Sequence, residues 1–475
     1  MPWDTIPRMV LSAADRFGTA EAVVDGPARL TFAELADRVR VAAGAFASAG
    51  IETGDRVAIW APNSAEWIIA AFGLLTAGGV LVPVNTRFKA GEAGDIIRRS
   101  GARAVLVQKG FLGLEYEGPP GVPVIPLTSG FLSSAAPLER EVSGDDVCDI
   151  VFTSGTTGRP KGVMMTHAQN LRWTQTWCDT VGLREGDRYL IVNPFFHVFG
   201  YKAGCITALM RGATILPVPV FDVAHVLDLV EREKVTVLPG PPTLYHSLLS
   251  AGAGPDLSSL RLAVTGAADI PVELIRRIRS ELPFQAIFTG YGLTEAGTVT
   301  LSRPGDSFEA IATTVGTPCD GYEVRIAGDG EVLVRGECVM KGYLDDPAAT
   351  AEAIDADGWL HTGDLGSFAG GGRLRIVGRK KDMFIVGGFN AYPAEIEGFL
   401  LEHPRVAQVA VIGVPDERLG QVGKAFVVRK GLVSAEELTA WSRTRMAGYK
   451  VPRYVEFLDE LPVNATGKVM KDQLR

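Results

Sequence analysis

The chain has 475 residues, of which 47% are hydrophobic and 21% are charged, and its formal net charge is −8. This length predicts about three folding units, and the composition excludes a disordered chain, a coiled coil and a collagen-like fibre. The acidic balance argues against a general nucleic-acid binder, which would more often be basic.

Cysteine spacing and the N-terminal residues indicate the compartment. The five cysteines are far apart and form no CxxC pair, so we expect neither a zinc site nor a disulfide framework, and we predict a cytoplasmic protein with reduced thiols. No basic segment followed by an apolar run opens the chain, so we predict no signal peptide. Residues 67–86 are uncharged and long enough to span a bilayer. Because Gly78, Gly79 and Pro83 would interrupt a spanning helix, we predict a buried helix, a turn and a buried strand there, and no integral membrane segment.

In chain order, short β-rich runs alternate with helical stretches through the first two thirds of the sequence. Predicted strands are DRVAIWAP, GVLVPVN, ARAVLVQ, DIVFTS, RYLIVNP, ATILPV, VTVLPG, LRLAVTG and QAIFTGYG, and predicted helices include TFAELADRVRVAAGAFASAG and VAHVLDLVEREK. Apolar strands separated by helices favour an α/β fold of packed, mostly parallel sheets flanked by helices. The Gly/Pro-rich residues 117–129 and 369–373 are predicted to be surface loops.

After Arg379 the pattern changes to a smaller α+β unit. HPRVAQVAVIGVP and GKAFVVR predict strands, and SAEELTAWSRTRM predicts a capped helix. We therefore place the domain boundary at residues 378–382.

The densest chemical signal directly follows the strand DIVF. It is the run Thr153-Ser154-Gly155-Thr156-Thr157-Gly158-Arg159-Pro160-Lys161-Gly162. Glycines let backbone N–H groups approach an anion, hydroxyls add donors, and a lysine adds charge. A Walker loop needs adjacent Gly and Lys, and the absence of GxGxxG argues against a Rossmann dinucleotide site. The run predicts a different phosphate loop, with a plain polar turn as the alternative.

Four further motifs follow this loop. They are Gly266-Ala267-Ala268, Tyr291-Gly292-Leu293-Thr294-Glu295, Trp359-Leu360-His361-Thr362-Gly363-Asp364 before the strand RLRIVGR, and Asn464-Ala465-Thr466-Gly467-Lys468. Taken singly, Tyr291 would indicate packing, Asp364 a turn, and Lys468 a solvated charge.

Together and in this order, the motifs resemble the adenylate-forming superfamily, which includes acyl-CoA synthetases, peptide-synthetase adenylation domains and luciferases. The resemblance covers essentially the whole chain through TSGTTGRPKG, YGLTE, TGD, GRKKDMFIVGG and NATGK. It implies a large N-terminal adenylation domain over residues 1–380, a small mobile α+β C-terminal domain over 382–475, and a hinge at Lys381.

The resemblance also implies two half-reactions. A carboxylate attacks the α-phosphorus of ATP in the presence of Mg²⁺, and coenzyme A then displaces AMP from the acyl-adenylate. Both steps concentrate negative charge, so the protein should supply cations and aimed N–H groups.

The implied roles follow residue by residue. The catalytic group comprises Lys161 with the phosphate loop from Thr153 to Gly158, Thr294 on the α-phosphate, Glu295 on Mg²⁺, and Lys468 between the attacking carboxylate and the α-phosphate. The nucleotide group comprises Tyr291 stacked on adenine, Gly266, Ala267, Ala268 and Gly292 around it, and Asp364, Ile376 and Arg379 near the ribose. Gly388 matches the position that admits the pantetheine arm of coenzyme A, with an ordinary turn glycine as the alternative.

The segment NPFFHVFG, residues 193–200, resembles the acyl-site motif of CoA ligases. By resemblance, His197 borders the carboxylate as a gate or packing residue more than as a base, and Phe199, Gly290 and Gly292 lie at the acyl site. Amino-acid-activating relatives place an aspartate in this motif, and none is present here. Since an unpaired buried ammonium is costly, we expect an acid that lacks an α-amino group.

The aromatic and small residues of this region favour a medium-chain, bulky or ring-bearing acid. FFHVFGYKAG resembles steroid-catabolic ligases that act on a fused-ring propanoate. We therefore predict a bacterial acid–CoA ligase that uses ATP, Mg²⁺ and coenzyme A, with a small carboxylic acid as its partner and a homodimer as one option. The alternatives are a stand-alone acyl-AMP-forming enzyme that serves a carrier protein, a luciferase-like relative, and a non-catalytic nucleotide sensor.

Overall fold

The computed structural model describes residues 3–113, 118–153, 160–250, 254–266, 272–387, 389–464 and 469–474. The α-helices of this part of the chain are α1 (Ile6–Phe17), α2 (Phe32–Ser48), α3 (Ala65–Thr76), α4 (Ala90–Arg99), α5 (Ser129–Leu132), α6 (His167–Val181), α7 (Val198–Gly200), α8 (Thr207–Arg211), α9 (Val223–Glu233), α10 (Pro242–Ser250), α11 (Val272–Glu281), α12 (Phe308–Thr313), α13 (Pro347–Ala353), α14 (Pro393–Leu401) and α15 (Ala435–Arg443). A π-helix covers Tyr201–Ile206, and short 3₁₀ helices cover Phe111–Gly113, Gly370–Gly372 and Lys471–Leu474.

The strands are, in chain order, β1 (Glu21–Asp25), β2 (Ala28–Thr31), β3 (Arg56–Trp60), β4 (Val80–Pro83), β5 (Ala104–Val107), β6 (Val124–Pro126), β7 (Val147–Thr153), β8 (Lys161–Thr166), β9 (Arg188–Ile191), β10 (Thr214–Pro217), β11 (Val237–Pro239), β12 (Leu262–Gly266), β13 (Ala286–Leu293), β14 (Gly297–Leu301), β15 (Thr317–Pro318), β16 (Tyr322–Ile326), β17 (Glu331–Gly336), β18 (Gly342–Tyr343), β19 (Leu360–Ala369), β20 (Arg373–Arg379), β21 (Phe384–Val386), β22 (Phe389–Ala391), β23 (Val406–Asp416), β24 (Gly420–Arg429) and β25 (Tyr454–Leu458).

Helix boundaries coincide with local capping residues. Thr31 and Glu34 form a capping box at the start of α2, and Ser64 caps α3 through the backbone N–H of Trp67. Helix α6 ends at Gly182, which adopts the left-handed conformation that glycine tolerates best. These helices therefore begin and end where their local sequence permits.

Two large sheets carry most of the N-terminal part. A nine-stranded sheet has the order β15-β14-β13-β12-β11-β9-β10-β1-β2, and its strands from β13 to β1 run parallel. A seven-stranded sheet has the order β18-β8-β7-β4-β3-β5-β6, parallel from β7 to β6. The predicted α/β class with mostly parallel, helix-flanked sheets is confirmed.

Two smaller sheets follow. Strands β16, β17, β19 and β20 form an antiparallel sheet, and β22, β21, β24 and β23 form another, with β25 parallel to β24. The last sheet packs with α14 and α15 around its own apolar core, which includes Ile396, Val411, Val427 and Leu438. The small C-terminal α+β domain is thus present, while the boundary at Lys381 stays a prediction.

Residues 67–86 form most of a buried helix, a turn and a buried strand, as predicted. Helix α3 is followed by Gly78, whose φ of 79° favours glycine, and then by the fully buried β4. Over the described residues, no helix combines the length and apolar character needed to cross a membrane.

One local prediction was wrong. The stretch 117–129 contains β6, which extends the parallel sheet as an edge strand beside β5, and its flanking glycines and prolines obscure its three residues. Asp364 lies inside β19, which starts at Leu360 and contains the TGD motif, so the alternative of a turn residue does not apply to it.

Candidate active site

The ends of the phosphate loop face each other across a hairpin. Strands β7 and β8 are antiparallel, and Thr153 pairs with Lys161. Residues 154–159, and with them Ser154, Gly155, Thr156, Thr157 and Gly158 of the predicted loop, lie outside the described residues. The Lys161 ammonium nitrogen lies 4.8 Å from the centroid of the Tyr343 ring, a cation–π contact. The pairing of β7 with β8 thus fixes the backbone position of Lys161 at the end of the loop.

Glu295 lies in the tight turn that joins β13 to β14. Its carboxylate accepts a 3.0 Å hydrogen bond from the Tyr343 hydroxyl, and its carbonyl oxygen accepts a 2.7 Å bond from the backbone N–H of Met340. Burial raises the pKa of Glu295, and the Tyr343 hydrogen bond and the Arg379 charge oppose that rise. Thr294 is half-buried in the same turn, at the edge where parallel strands of α/β sheets present their ligands.

Tyr291, Asp364 and Arg379 form one contact cluster. The Tyr291 hydroxyl donates a 2.7 Å hydrogen bond to Asp364 Oδ2, and Arg379 Nε lies 3.1 Å from Asp364 Oδ1. The pairing of β19 with β20 sets Asp364 opposite Arg379. Burial and the Asp364 charge raise the pKa of Tyr291 well above its usual range. A carboxylate can accept about four hydrogen bonds, so Asp364 retains acceptor capacity for hydroxyl groups of a ligand.

Packing against β14 accounts for the glycines of β13. A Cβ on Gly290 would lie 2.7 Å from the Thr300 carbonyl oxygen, and one on Gly292 would lie 2.4 Å from the Gly297 carbonyl oxygen. Gly266, the last residue of β12, pairs with Gly290 of β13, so neither of these two paired positions carries a side chain. The assignments of these glycines to the acyl and nucleotide sites stay predictions.

The acyl-motif segment is held by Asn63, which lies just before α3. The Asn63 amide nitrogen donates to three carbonyl oxygens, including that of Asn193 at 3.0 Å, and its oxygen accepts from Phe195 N at 2.7 Å. His197 caps α7, because its Nδ1 accepts a 3.2 Å hydrogen bond from Phe199 N. Nε2 is therefore the ring nitrogen that carries the proton in the neutral imidazole.

The remaining predicted residues have different locations. Ile376 is half-buried on β20 and packs against the N-terminal core, and Lys381 is exposed in the turn after β20. Phe199 is half-buried against the same core. Ala267, Ala268, Gly388 and Lys468 lie outside the described residues.

Sequence reasoning missed Tyr343 and Asn63. Tyr343 contacts both Lys161 and Glu295, and Asn63 positions the acyl segment. Neither belongs to a chemically suggestive run, and only burial with satisfied hydrogen bonds marks such residues. The spacing of residues in the sequence therefore gives no signal that identifies Tyr343 or Asn63.

The site fits a magnesium nucleotide. Among the described residues there is no cluster of three or more His, Cys, Asp or Glu that could hold a metal ion by itself. Mg²⁺ commonly takes one or two carboxylates together with substrate phosphate oxygens and waters. The half-buried Glu295 carboxylate, close to the Lys161 strand through Tyr343, suits that mode.

Comparisons with known proteins identify the family of the chain. Residues 11–344 match the AMP-binding enzyme family, and residues 395–468 match the AMP-binding enzyme C-terminal domain. A 3-[(3aS,4S,7aS)-7a-methyl-1,5-dioxo-octahydro-1H-inden-4-yl]propanoyl:CoA ligase of Rhodococcus jostii is 48% identical over 505 residues, covering 99% of this chain and 98% of the relative. The ligase of the same name from Mycobacterium tuberculosis is 48% identical over 498 residues, with the same coverage.

A solved structure extends the comparison to bound ligands. O-succinylbenzoate coenzyme A synthetase from Bacillus subtilis, in complex with ATP and magnesium ion, matches with a TM-score of 0.88 and 32% identity over 98% of each chain. The chain therefore belongs to the AMP-binding enzyme family, and it is an AMP-forming acid–CoA ligase that uses ATP, Mg²⁺ and coenzyme A.

Proposed function

We propose that this ligase activates a propanoate carried on a fused, partly oxidised ring system. The observation that carries the proposal is the 48% identity, over essentially the full length, to two ligases named for such an acid. Differences in acyl specificity within one fold arise from pocket residues. Likeness at this level over 99% of the chain therefore favours a substrate of the same class.

The acyl segment supports an apolar acid. Phe195 is buried against Trp67 with ring centroids 5.0 Å apart, Phe199 is half-buried, and residues 193–200 contain no acidic side chain. A substrate ammonium would have no carboxylate partner within this segment, and that burial would be costly. A ring-bearing acid that lacks an α-amino group avoids the free-energy cost of burying an unpaired ammonium.

In the first half-reaction, a carboxylate oxygen bonds to the α-phosphorus while the bond from phosphorus to pyrophosphate breaks. Lys161 and the phosphate loop hold the β- and γ-phosphates, and Asp364 with Arg379 orients the ribose. Thr294 and Lys468 act at the α-phosphate, with Lys468 also on the incoming carboxylate. Glu295 would hold Mg²⁺, which when bound would supply Lewis-acid stabilisation of the phosphate oxygens, and the lysines stabilise charge that grows as pyrophosphate leaves.

In the second half-reaction, the thiol sulfur of coenzyme A bonds to the acyl carbon, the bond to AMP breaks, and the thiol proton leaves to solvent. We assign Gly388 to the passage of the pantetheine arm. We assign Lys381, exposed after β20, to the hinge that withdraws Lys468 between the steps.

A panel of acids tests the proposal. The protein is incubated with ATP, Mg²⁺ and each acid, with and without coenzyme A, and AMP and thioester are quantified by mass spectrometry. The panel contains the indane-dione propanoate, its analogue with a one-carbon shorter side chain, octanoate, ferulate and phenylalanine. We expect the highest kcat/KM for the propanoate, with AMP release that depends on coenzyme A.

The panel also separates the alternatives. A higher kcat/KM for octanoate or ferulate would overturn the substrate proposal and leave the ligase class intact. Acyl-adenylate that accumulates and is not transferred to coenzyme A would indicate delivery to a carrier protein. We further propose a cytoplasmic location and leave the homodimer as a prediction that light scattering of the purified protein would test.

A further inference from the structure

A buried ion pair lies beside the acyl segment, and neither of its two residues has been given a role above. The Lys202 ammonium contacts Asp149 Oδ1 at 2.7 Å, and the two side chains are 1% and 0% exposed. The second carboxylate oxygen accepts a 2.6 Å hydrogen bond from the Asn170 side chain and a 3.4 Å bond from the Cys148 thiol. Asp149 is thus held on both oxygens within the core.

Stability alone does not account for this pair. Withdrawing two charges from water is costly, and apolar side chains of similar volume commonly stabilise a core as well or better. A charged pair differs from apolar contact in having direction, since the ammonium must lie on the carboxylate oxygen. The pair therefore fixes the two segments that carry it relative to each other.

Those two segments serve the two reactants. Asp149 lies on β7, whose last residue is Thr153 at the start of the phosphate loop. Lys202 lies in the π-helix Tyr201–Ile206, which directly follows α7 and its cap His197. The pair therefore links two segments. One is β7, which precedes the predicted phosphate loop, and the other is the π-helix, which follows the acyl motif.

The residues that connect Lys202 to the acyl motif are tightly packed. A Cβ on Gly200 would lie 2.3 Å from the Pro194 carbonyl oxygen, and one on Gly204 would lie 2.9 Å from the Ile191 side chain. A close-packed segment moves as a unit. A displacement of the π-helix would therefore displace residues 194–200 with it.

Tyr201 does not provide the anchor. Its side chain is fully buried beside Trp67, with ring centroids 5.7 Å apart, and its hydroxyl has no hydrogen-bond partner within the described residues. A π-helical turn is rare and occurs often at functional sites. Lys202 supplies the directional contact that holds this turn.

We infer that Asp149 and Lys202 are positioning residues that set the acyl motif at its working distance from the phosphate loop, and so tune acid recognition. Both side chains are enclosed in the core, so we assign them no direct contact with the reacting atoms. The inference rests on the adenylation chemistry of the proposed function and is independent of which acid proves best.

The test separates folding from positioning. The single variants Asp149→Asn and Lys202→Met each leave a buried charge without its partner, so their thermal midpoints should fall. The double variant Asp149→Val/Lys202→Met removes both charges at similar volume and should regain most of the wild-type midpoint. Kinetics of the double variant use whichever acid the wild-type protein turns over best, together with octanoate as a second acid.

We expect the double variant to show a KM for the best acid at least tenfold above wild type and reduced discrimination against octanoate, while the KM for ATP changes less than twofold. Wild-type acid KM and discrimination in a stable double variant would overturn the inference and leave the pair a packing feature. An equal rise in both KM values would also overturn it, because loss of the pair would then disturb both binding sites alike and would not act on acid recognition in particular. If the double variant does not fold, Asp149→Asn measured well below its own midpoint supplies the same comparison.

Discussion

The Tyr343 hydroxyl donates a 3.0 Å hydrogen bond to the Glu295 carboxylate. The face of the same ring lies beside the Lys161 ammonium, 4.8 Å from the ring centroid. One aromatic side chain thus contacts both the residue assigned to Mg²⁺ and the residue assigned to the terminal phosphates. It gives each of them a fixed place before the nucleotide binds.

Tyr343→Phe removes the hydroxyl and keeps the ring under Lys161. A hydrogen bond to a charged group contributes about 1.5–3 kcal/mol, so we expect the half-saturating Mg²⁺ concentration in pyrophosphate exchange to rise about tenfold. Calorimetric titration of Mg²⁺–ATP should show a parallel loss of affinity. Tyr454→Phe, at an exposed tyrosine, is the control, and an unchanged Mg²⁺ dependence of Tyr343→Phe would contradict the assignment.

Asp364→Asn replaces the carboxylate that contacts both Tyr291 and Arg379. The amide cannot accept from two ribose hydroxyls and pair with the guanidinium at once, so we expect kcat/KM for ATP to fall about ten- to a hundredfold. Initial rates at varied ATP measure this. Asp320→Asn, at an exposed position, should match wild type. A normal kcat/KM in Asp364→Asn would exclude Asp364 from nucleotide binding.

Lys468→Ala tests the two-conformation scheme. Loss of one aimed charge-stabilising donor should lower adenylation by about 10²–10³, while thioester formation from preformed acyl-adenylate is largely spared. Rapid-quench measurement of each half-reaction separates the two effects. The control is Lys430→Ala, at an exposed lysine of the same domain. Equal losses in both half-reactions would reject the scheme.

Gly388→Leu should produce the reverse pattern. A side chain at the position assigned to the pantetheine passage should slow transfer to coenzyme A and leave pyrophosphate exchange near the wild-type rate. Gly431→Leu is a matched control, because a Cβ at Gly431 would meet no heavy atom within 4 Å. Normal transfer in Gly388→Leu would refute the assignment.

His167 gives a pH-dependent stability term. Its Nδ1 accepts a 3.3 Å hydrogen bond from Ile6 N, and burial lowers the pKa of His167 from 6.5 to about 4. Between these values the unfolded chain binds the proton and the folded chain does not, so stability falls as pH falls. At 1.36 kcal/mol per pH unit, the term removes about 2 kcal/mol between pH 6.5 and 5.

His167→Asn keeps an acceptor oxygen and removes the titration. Its thermal midpoint should therefore fall less than that of the wild type between pH 7 and pH 5. Melting curves of both proteins at the two pH values measure the difference. Identical pH dependence in the two proteins would show that His167 does not supply the term.

The sequence by itself determined the features that lie within a few residues of each other. Alternating apolar runs and helical stretches established the α/β class, and the helix predicted from Thr31 does begin there, with Thr31 as its cap. The phosphate loop is predicted from one contiguous run, because glycines, hydroxyls and a lysine in close sequence are the groups that an anion-binding loop needs. The short edge strand β6 escaped this reasoning because its three residues lie among glycines and prolines.

Only the tertiary structure decided the contacts between distant residues. Tyr343 reaches Glu295 across 48 positions, Lys202 reaches Asp149 across 53, and Phe195 reaches Asn63 across 132. No local period predicts such pairs, because burial and the packing of separate sheets bring their atoms together. A lysine or tyrosine in a sequence is compatible with many environments, and its partners exist only once the chain has folded.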